Sequence, residues 1–383
     1  MNRFVLATAS TALLTACSSQ PAQPEPLPDG TIVSSDGYQI VPLADGLEFP
    51  WGMAALPNGD LLVTEREGRL RLIRDGELVD APITGTPSDV LVDRQGGYFG
   101  VTLDTDFETN RRLYMSYAKG VSDSNTTAVI AATLSEDASA LNDVSEIFTG
   151  QNRGTALHFG GRMELMPDGT LLVTLGEGYR YMDEAQNTDS LHGKVARINT
   201  DGTLPTDNPF ANGGGHPAIY SYGHRNVQGL VVDADRGIIY EHEHGPKGGD
   251  EINTLEPGSN YGWPIITYGI NYDGTLITED TEADGMAQPV FKWVPSIAPS
   301  GMTMVQTAGF EDWAGDLLVG AMNGPNGRKL VRIDLDDAGN VVGSEDLLGD
   351  LQVPYRDVLS TPNAIYVATA DLDGAIYRLE KAQ

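Results

Sequence analysis

The sequence predicts an all-β chain built as a six-bladed β-propeller. Three observations predict it. A strand–turn–strand pattern recurs at intervals of roughly 40–60 residues, a spacing typical of blade-like repeats. Its turns carry Asn-Gly, Asp-Gly or similar pairs, which tolerate positive φ and close hairpins. No stretch sustains a 3.6-residue apolar period, so helices should be few.

Taken in order, the chain opens with Met1-Asn2-Arg3, a positive start, and the short apolar run Phe4 to Leu14. That run is too short to span a bilayer and reads as a secretory signal. It ends Leu14-Thr15-Ala16-Cys17, which resembles a bacterial lipobox, so Cys17 is the expected lipidation site. Cys17 is the only cysteine, which leaves it no disulfide partner. Ser18 after the cysteine, rather than Asp, would fit outer-membrane sorting by resemblance to Gram-negative lipoproteins. The expected location is therefore the periplasmic side of a bacterial envelope, reached through a lipid anchor. Residues 18–30, with Pro21, Pro24, Pro26 and Pro28, read as an extended tether. The propeller is expected to fill 31–383.

The repeats follow. Residues 51–73 read WGMAALPNGDLLVTEREGRLRLI, and 161–175 read GRMELMPDGTLLVTL. A weaker copy, LVVDADRGIIY, occupies 230–240. The last two are GDLLVGAMNGPNGRKLVRI at 315–333 and VLSTPNAIYVATADLDGAIYRL at 358–379. Each places a short apolar strand, a turn and a second apolar strand, and several continue into a third. A β-sandwich is the competing architecture, but the repeats cover most of the chain. A net charge of −30 argues against nucleic acid and against a polybasic membrane patch. It also supplies carboxylates for hard cations such as calcium.

Propeller sites form where blade loops converge, so polar loops are the place to look. Four stand out: Arg94 to Val101, Leu157 to Arg162, Tyr220 to Leu230, and Glu241 to Pro264. His158, at a loop–strand junction, is a candidate general base. Glu177, one strand later, could orient its imidazole. In EHEHGPKGGDEIN, His242 and His244 share one strand face, so a zinc site would need a third ligand from elsewhere. Gly245-Pro246 can instead offer carbonyl oxygens to calcium, with Asp250 and Glu251 nearby.

In this order, QGG, HFGGR, YGHRNVQG, EHGPKGGDEIN, NYGWP and WVPSIAPSGM resemble the soluble PQQ-dependent sugar dehydrogenases. The likeness is to the aldose sugar dehydrogenase branch of the glucose/sorbosone dehydrogenase family, from about Leu47 to Leu379. It implies oxidation of aldoses at C1 to lactones, with hydride passing to pyrroloquinoline quinone (PQQ). It implies His158 as base, Glu177 supporting it, and Arg225 stabilising charge on the quinone. Gln95 and Asn226 would contact the cofactor. The Gly245 and Pro246 carbonyls would hold a calcium ion, and Glu251 with the Tyr261 carbonyl a second. No haem-attachment motif is present, so an external electron acceptor is implied.

Three positions depart from the pattern. Asn323 stands where the family places a lysine facing the cofactor carboxylates, leaving Arg328 or Lys329 to fold back in its place. Pro354 replaces one of two arginines near the last blade, leaving Arg356. Leu157 precedes the base where Asn or Asp is usual. Each lost cationic contact could cost roughly 1–3 kcal/mol. Two alternatives therefore stay open: a non-redox propeller that has lost PQQ and binds a carbohydrate or envelope ligand, and a calcium-dependent lactonase-like hydrolase.

Overall fold

The computed structural model describes residues 27–323 and 327–382. Cys17, the signal segment and most of the tether lie outside them. Six small antiparallel sheets form six blades around a central channel. The innermost strands are Pro50–Ala55, Tyr98–Leu103, Met163–Leu165, Val227–Asp233, Pro299–Met304 and Tyr355–Ser360, each packed against the next around the ring. Among the described residues, helix is confined to a few single turns such as Phe107–Asn110 and Met182–Ala185.

The ring closes by mixing the two ends of the chain. In the last blade, Gly374–Lys381 pairs with Tyr38–Leu47 from the N-terminal part, which in turn pairs with Ile32–Val33. This buries an edge that would otherwise expose unpaired backbone groups. Ile40, fully buried, seals it against Leu318, Ile365 and Leu379.

The five repeats map onto five blades, and their turn glycines adopt the expected left-handed backbone, as at Gly59 (φ 91) and Gly169 (φ 80). The remaining blade, Tyr98 to Thr149, escapes the repeat pattern. Its middle strands are long, Arg112–Val121 and Ser124–Leu134, and the two-residue turn between them is Ser122-Asp123. Its first connection is a helical turn rather than a glycine hairpin.

Five inner strands slip register near their N-terminal ends. The slips fall between Pro50 and Gly52, Tyr98 and Val101, Val227 and Gly229, Pro299 and Met302, and Tyr355 and Asp357. A bulge inserts an extra residue and re-aims its side chain. The residues so placed include Trp51, Phe99, Gln228 and Arg356, and all four line a cavity at this end of the channel.

Candidate active site

Two contiguous cavities open at that end. The deeper one, about 240 Å³, has walls of Trp51, Phe99 and Phe159 and polar groups from Arg66, Gln228 and Arg356. The outer one, about 390 Å³, is lined by His158, Arg225, Gly245, Pro246 and Asn323. Gln95 and His244 border both. Below, Arg162 and Arg356 each lie 4.2 Å from the Trp51 ring, and Arg162 pairs with Asp357 at 2.8 Å. This stack separates the cavities from a larger one, about 890 Å³, at the opposite mouth.

His158 is held on every side. Its backbone sits at φ 49, a left-handed conformation costly for a residue with a Cβ. Neighbours over-determine it: its N–H donates to Gln95 Oε1 (2.7 Å), and its carbonyl accepts from Arg153 (2.7 Å). Gly176 lies so close that a Cβ there would sit 2.1 Å from the His158 oxygen, so only glycine fits. The ring Nδ1 meets Glu177 Oε1 at 3.0 Å. Nδ1–H donates to the carboxylate, which leaves Nε2 as the basic nitrogen. Burial, and next the Arg225 charge, push the His158 pKa below its ordinary value, against the opposing pull of Glu177. The imidazole is therefore neutral near pH 7 and able to accept a proton.

Arg225 is fixed by donating to the carbonyls of His244 (2.9 Å) and Gly245 (2.8 Å), while its Nε has no partner. Asn226 accepts from the Gly160 N–H at 3.1 Å. His244 Nε2 donates to the Pro299 carbonyl at 2.7 Å, and burial drives its pKa down to about 3. His242 is fully buried with neither ring nitrogen bonded. No group of metal-ligand side chains found among the described residues includes this pair of histidines.

The loop after them is tied by Asp250. One carboxylate oxygen accepts from the Gly245 N–H (2.8 Å); the other accepts from Ser296 Oγ (2.6 Å) and the N–H groups of Ile297 (2.8 Å) and Ala298 (2.9 Å). With Asp250 so engaged, a cation at Gly245-Pro246 would rest on carbonyl oxygen. Behind this loop lies an acidic box the sequence reading did not resolve. Glu241 faces Asn253 and Glu243 faces Glu251 across one strand pair. His224 Nδ1 stands 3.1 Å from Glu243 and 3.6 Å from Glu241, and its ring stacks on Tyr261 at 4.7 Å. Burial, then the Glu243 charge, raise the Glu251 pKa to about 8. A hard cation would relieve that crowding of carboxylates.

Two candidates are placed differently from expectation. Lys329 does not fold back: its ammonium pairs with Asp346 at 2.6 Å on the neighbouring strand of the same blade. Arg328 is exposed and lines neither cavity. Asn323 does reach the outer cavity, without a charge. Arg66, Trp51 and Phe99 escaped the sequence reading because only the turn after Leu61–Glu65, the bulges at Trp51 and Phe99 and the packing of blades bring them together.

The chain matches the family model described as glucose/sorbosone dehydrogenase over residues 47–378. It is 38% identical over 344 residues to the aldose sugar dehydrogenase YliI of Escherichia coli strain K12, covering 88% of this chain and 91% of that one. The crystal structure of the soluble aldose sugar dehydrogenase from Escherichia coli in its apo form is similar with a TM-score of 0.85 at 36% identity, covering 90% and 99% of the two chains. The PQQ-bound aldose sugar dehydrogenase from Streptomyces coelicolor is similar with a TM-score of 0.75 at 27% identity, covering 90% and 97%. With a family match that spans most of its length and a relative this similar, the chain belongs to the glucose/sorbosone dehydrogenase family.

Proposed function

We propose that this protein oxidises aldose sugars at C1 to lactones, using PQQ and calcium, with His158 as the base. Family membership makes it an oxidoreductase acting on sugar CH–OH groups. The observation that carries the finer reading is the buried His158, its imidazole neutral and bonded to Glu177, beside Arg225 on one cavity wall. Bound there, PQQ supplies the carbon that accepts hydride, and calcium supplies a Lewis acid.

The residues present suit both groups. The deeper cavity has flat aromatic walls, and Arg356 Nε is buried without a partner. Gln95, Asn226 and Arg356 would hold the cofactor, and the carbonyls of Gly245 and Pro246 a calcium ion. Glu251 and the Tyr261 carbonyl would hold a second ion at the edge of the acidic box. His158 Nε2 takes the proton of the C1 hydroxyl as the C1–H electron pair leaves. Glu177 keeps the correct tautomer and steadies the imidazolium that forms. Arg225, already oriented by two carbonyls, stabilises negative charge developing in the outer cavity. The electrons then leave to an external acceptor, and a lipid on Cys17 would keep the enzyme at the envelope.

The test is sugar-dependent dye reduction by purified protein given PQQ and calcium. Turnover that requires both additions supports the reading; silence across several aldoses overturns it. A second reading, a non-redox sugar-binding propeller, is favoured by the engagement of Lys329 with Asp346, which removes one expected cation from the cavity. Sugar binding without PQQ, and never any turnover, is its signature.

A further inference from the structure

We propose that Arg66 is a cofactor-binding residue, supplying with Arg356 the positive charge that anchors the PQQ carboxylates. The inference rests on the PQQ reading above. Arg66 follows the strand Leu61–Glu65 in the first blade, on the turn that faces the deeper cavity. Its guanidinium lies 3.9 Å from the centroid of the Phe49 ring, another wall of that cavity. The stack holds the cation in place while leaving its N–H edges free.

Charge supports the assignment. The chain carries 54 acidic residues against 24 basic ones, yet among the described residues no acidic side chain lines the deeper cavity, while two arginines do. Such a patch on so acidic a protein selects a compact polyanion. Among the described residues, the one carboxylate paired with Arg66 is Glu67 at 3.8 Å, with both side chains about one-third exposed (32% each). A pair of that kind is weak and easily displaced. Among the described residues, Arg356 has no carboxylate partner in hydrogen-bonding reach; it donates to Gln228 Oε1 at 3.1 Å, and its Nε is unpaired. Burial, then the Arg162 charge and last the Arg66 charge, lower the Arg356 pKa against the pull of Asp357, and an anion would relieve the repulsion.

Other basic side chains do not serve this end. Asn323 and Pro354 carry no charge, and Lys329 pairs with Asp346 instead of entering the cavity. Arg66 meets the cavity from a different blade. The ligand would then span both cavities, its carboxylates at Arg66 and Arg356 and its reactive end at His158 and Arg225.

Binding is the readout, followed by quenching of tryptophan fluorescence, since Trp51 forms a cavity wall. Calcium-loaded wild type, Arg66→Gln and Arg66→Lys are each titrated with PQQ and with its uncharged trimethyl ester. Arg66→Gln should weaken PQQ binding about 10- to 100-fold, a typical charge-assisted contact, and Arg66→Lys should recover part of it. Ester binding should change little, so the wild-type preference for the acid shrinks. Equal PQQ affinity in wild type and Arg66→Gln overturns the assignment and leaves the cofactor reading intact. Parallel loss for both ligands, or a lowered melting temperature explaining the loss, assigns Arg66 a structural role and also overturns it. Wild type that binds neither ligand overturns the cofactor reading itself.

Discussion

At the scale of single residues, the account turns on His158 and Glu177. Burial and the Arg225 charge keep the imidazole pKa below its usual value of 6.5. The base works unprotonated, so activity is lost as pH falls through the depressed pKa. The acid limb of kcat/KM should therefore lie below pH 6.5; a limb above it would contradict the burial argument. Glu177→Gln keeps an acceptor for the Nδ1 proton but removes the negative charge that raises the His158 pKa. The expected result is a loss on the order of 10²-fold in kcat or more, with the acid limb moved to still lower pH. A variant with unchanged rate and pH profile would remove Glu177 from the mechanism. These two residues were legible in the sequence because each sits in a short local motif. Arg66, Trp51 and Phe99 were not, since nothing near them in sequence shows that a turn and bulges on two blades bring them into one cavity. Lys329 misled for the opposite reason: it is close in sequence to Asn323, but its strand carries it to Asp346 instead.

At the scale of elements, hairpin chemistry made five blades readable. Asn-Gly and Asp-Gly turns, or close relatives, mark where a strand must reverse. The blade from Tyr98 to Thr149 lacks that punctuation, with Ser122-Asp123 at its long hairpin and a helical turn at Phe107–Asn110. The closure of the ring by Tyr38–Leu47 was also invisible, because its partner Gly374–Lys381 lies at the other end of the chain. This closing strand is held by burial as well as by its ladder. Ile40→Ala should cost about 2–5 kcal/mol, read from denaturant midpoints, because the site is enclosed by neighbouring strands and cannot collapse easily. A cost under about 0.5 kcal/mol, the range of surface substitutions, would mean that the closure contributes little. The acidic box makes a second element-level prediction. Calcium should raise the melting temperature and chelation lower it, and Glu251→Gln should reduce the calcium-dependent part. A melting temperature indifferent to calcium in both proteins would contradict a structural ion at that place.

At the scale of the whole molecule, the fold separates support from chemistry. Outer strands and the closing strand hold six inner strands in a ring, and the N-terminal ends of those strands meet at one mouth of the channel. The chain is strongly acidic overall, with a net charge of −30, yet the deeper cavity at that mouth is lined, among the described residues, by arginines and no carboxylates. That contrast fits a protein that takes up a small anionic cofactor and reduces it with a neutral sugar. Among the described residues, no helix is long and apolar enough to cross a membrane. The most direct test of the central claim is a single-turnover titration. Calcium-loaded protein is saturated with PQQ, an aldose is added without an external acceptor, and the quinone absorbance is followed together with the sugar product. The account predicts bleaching to the quinol with one equivalent of lactone formed per bound PQQ, and neither in His158→Gln. Bound PQQ that stays oxidised across a panel of aldoses, or protein that binds no PQQ at all, would contradict it.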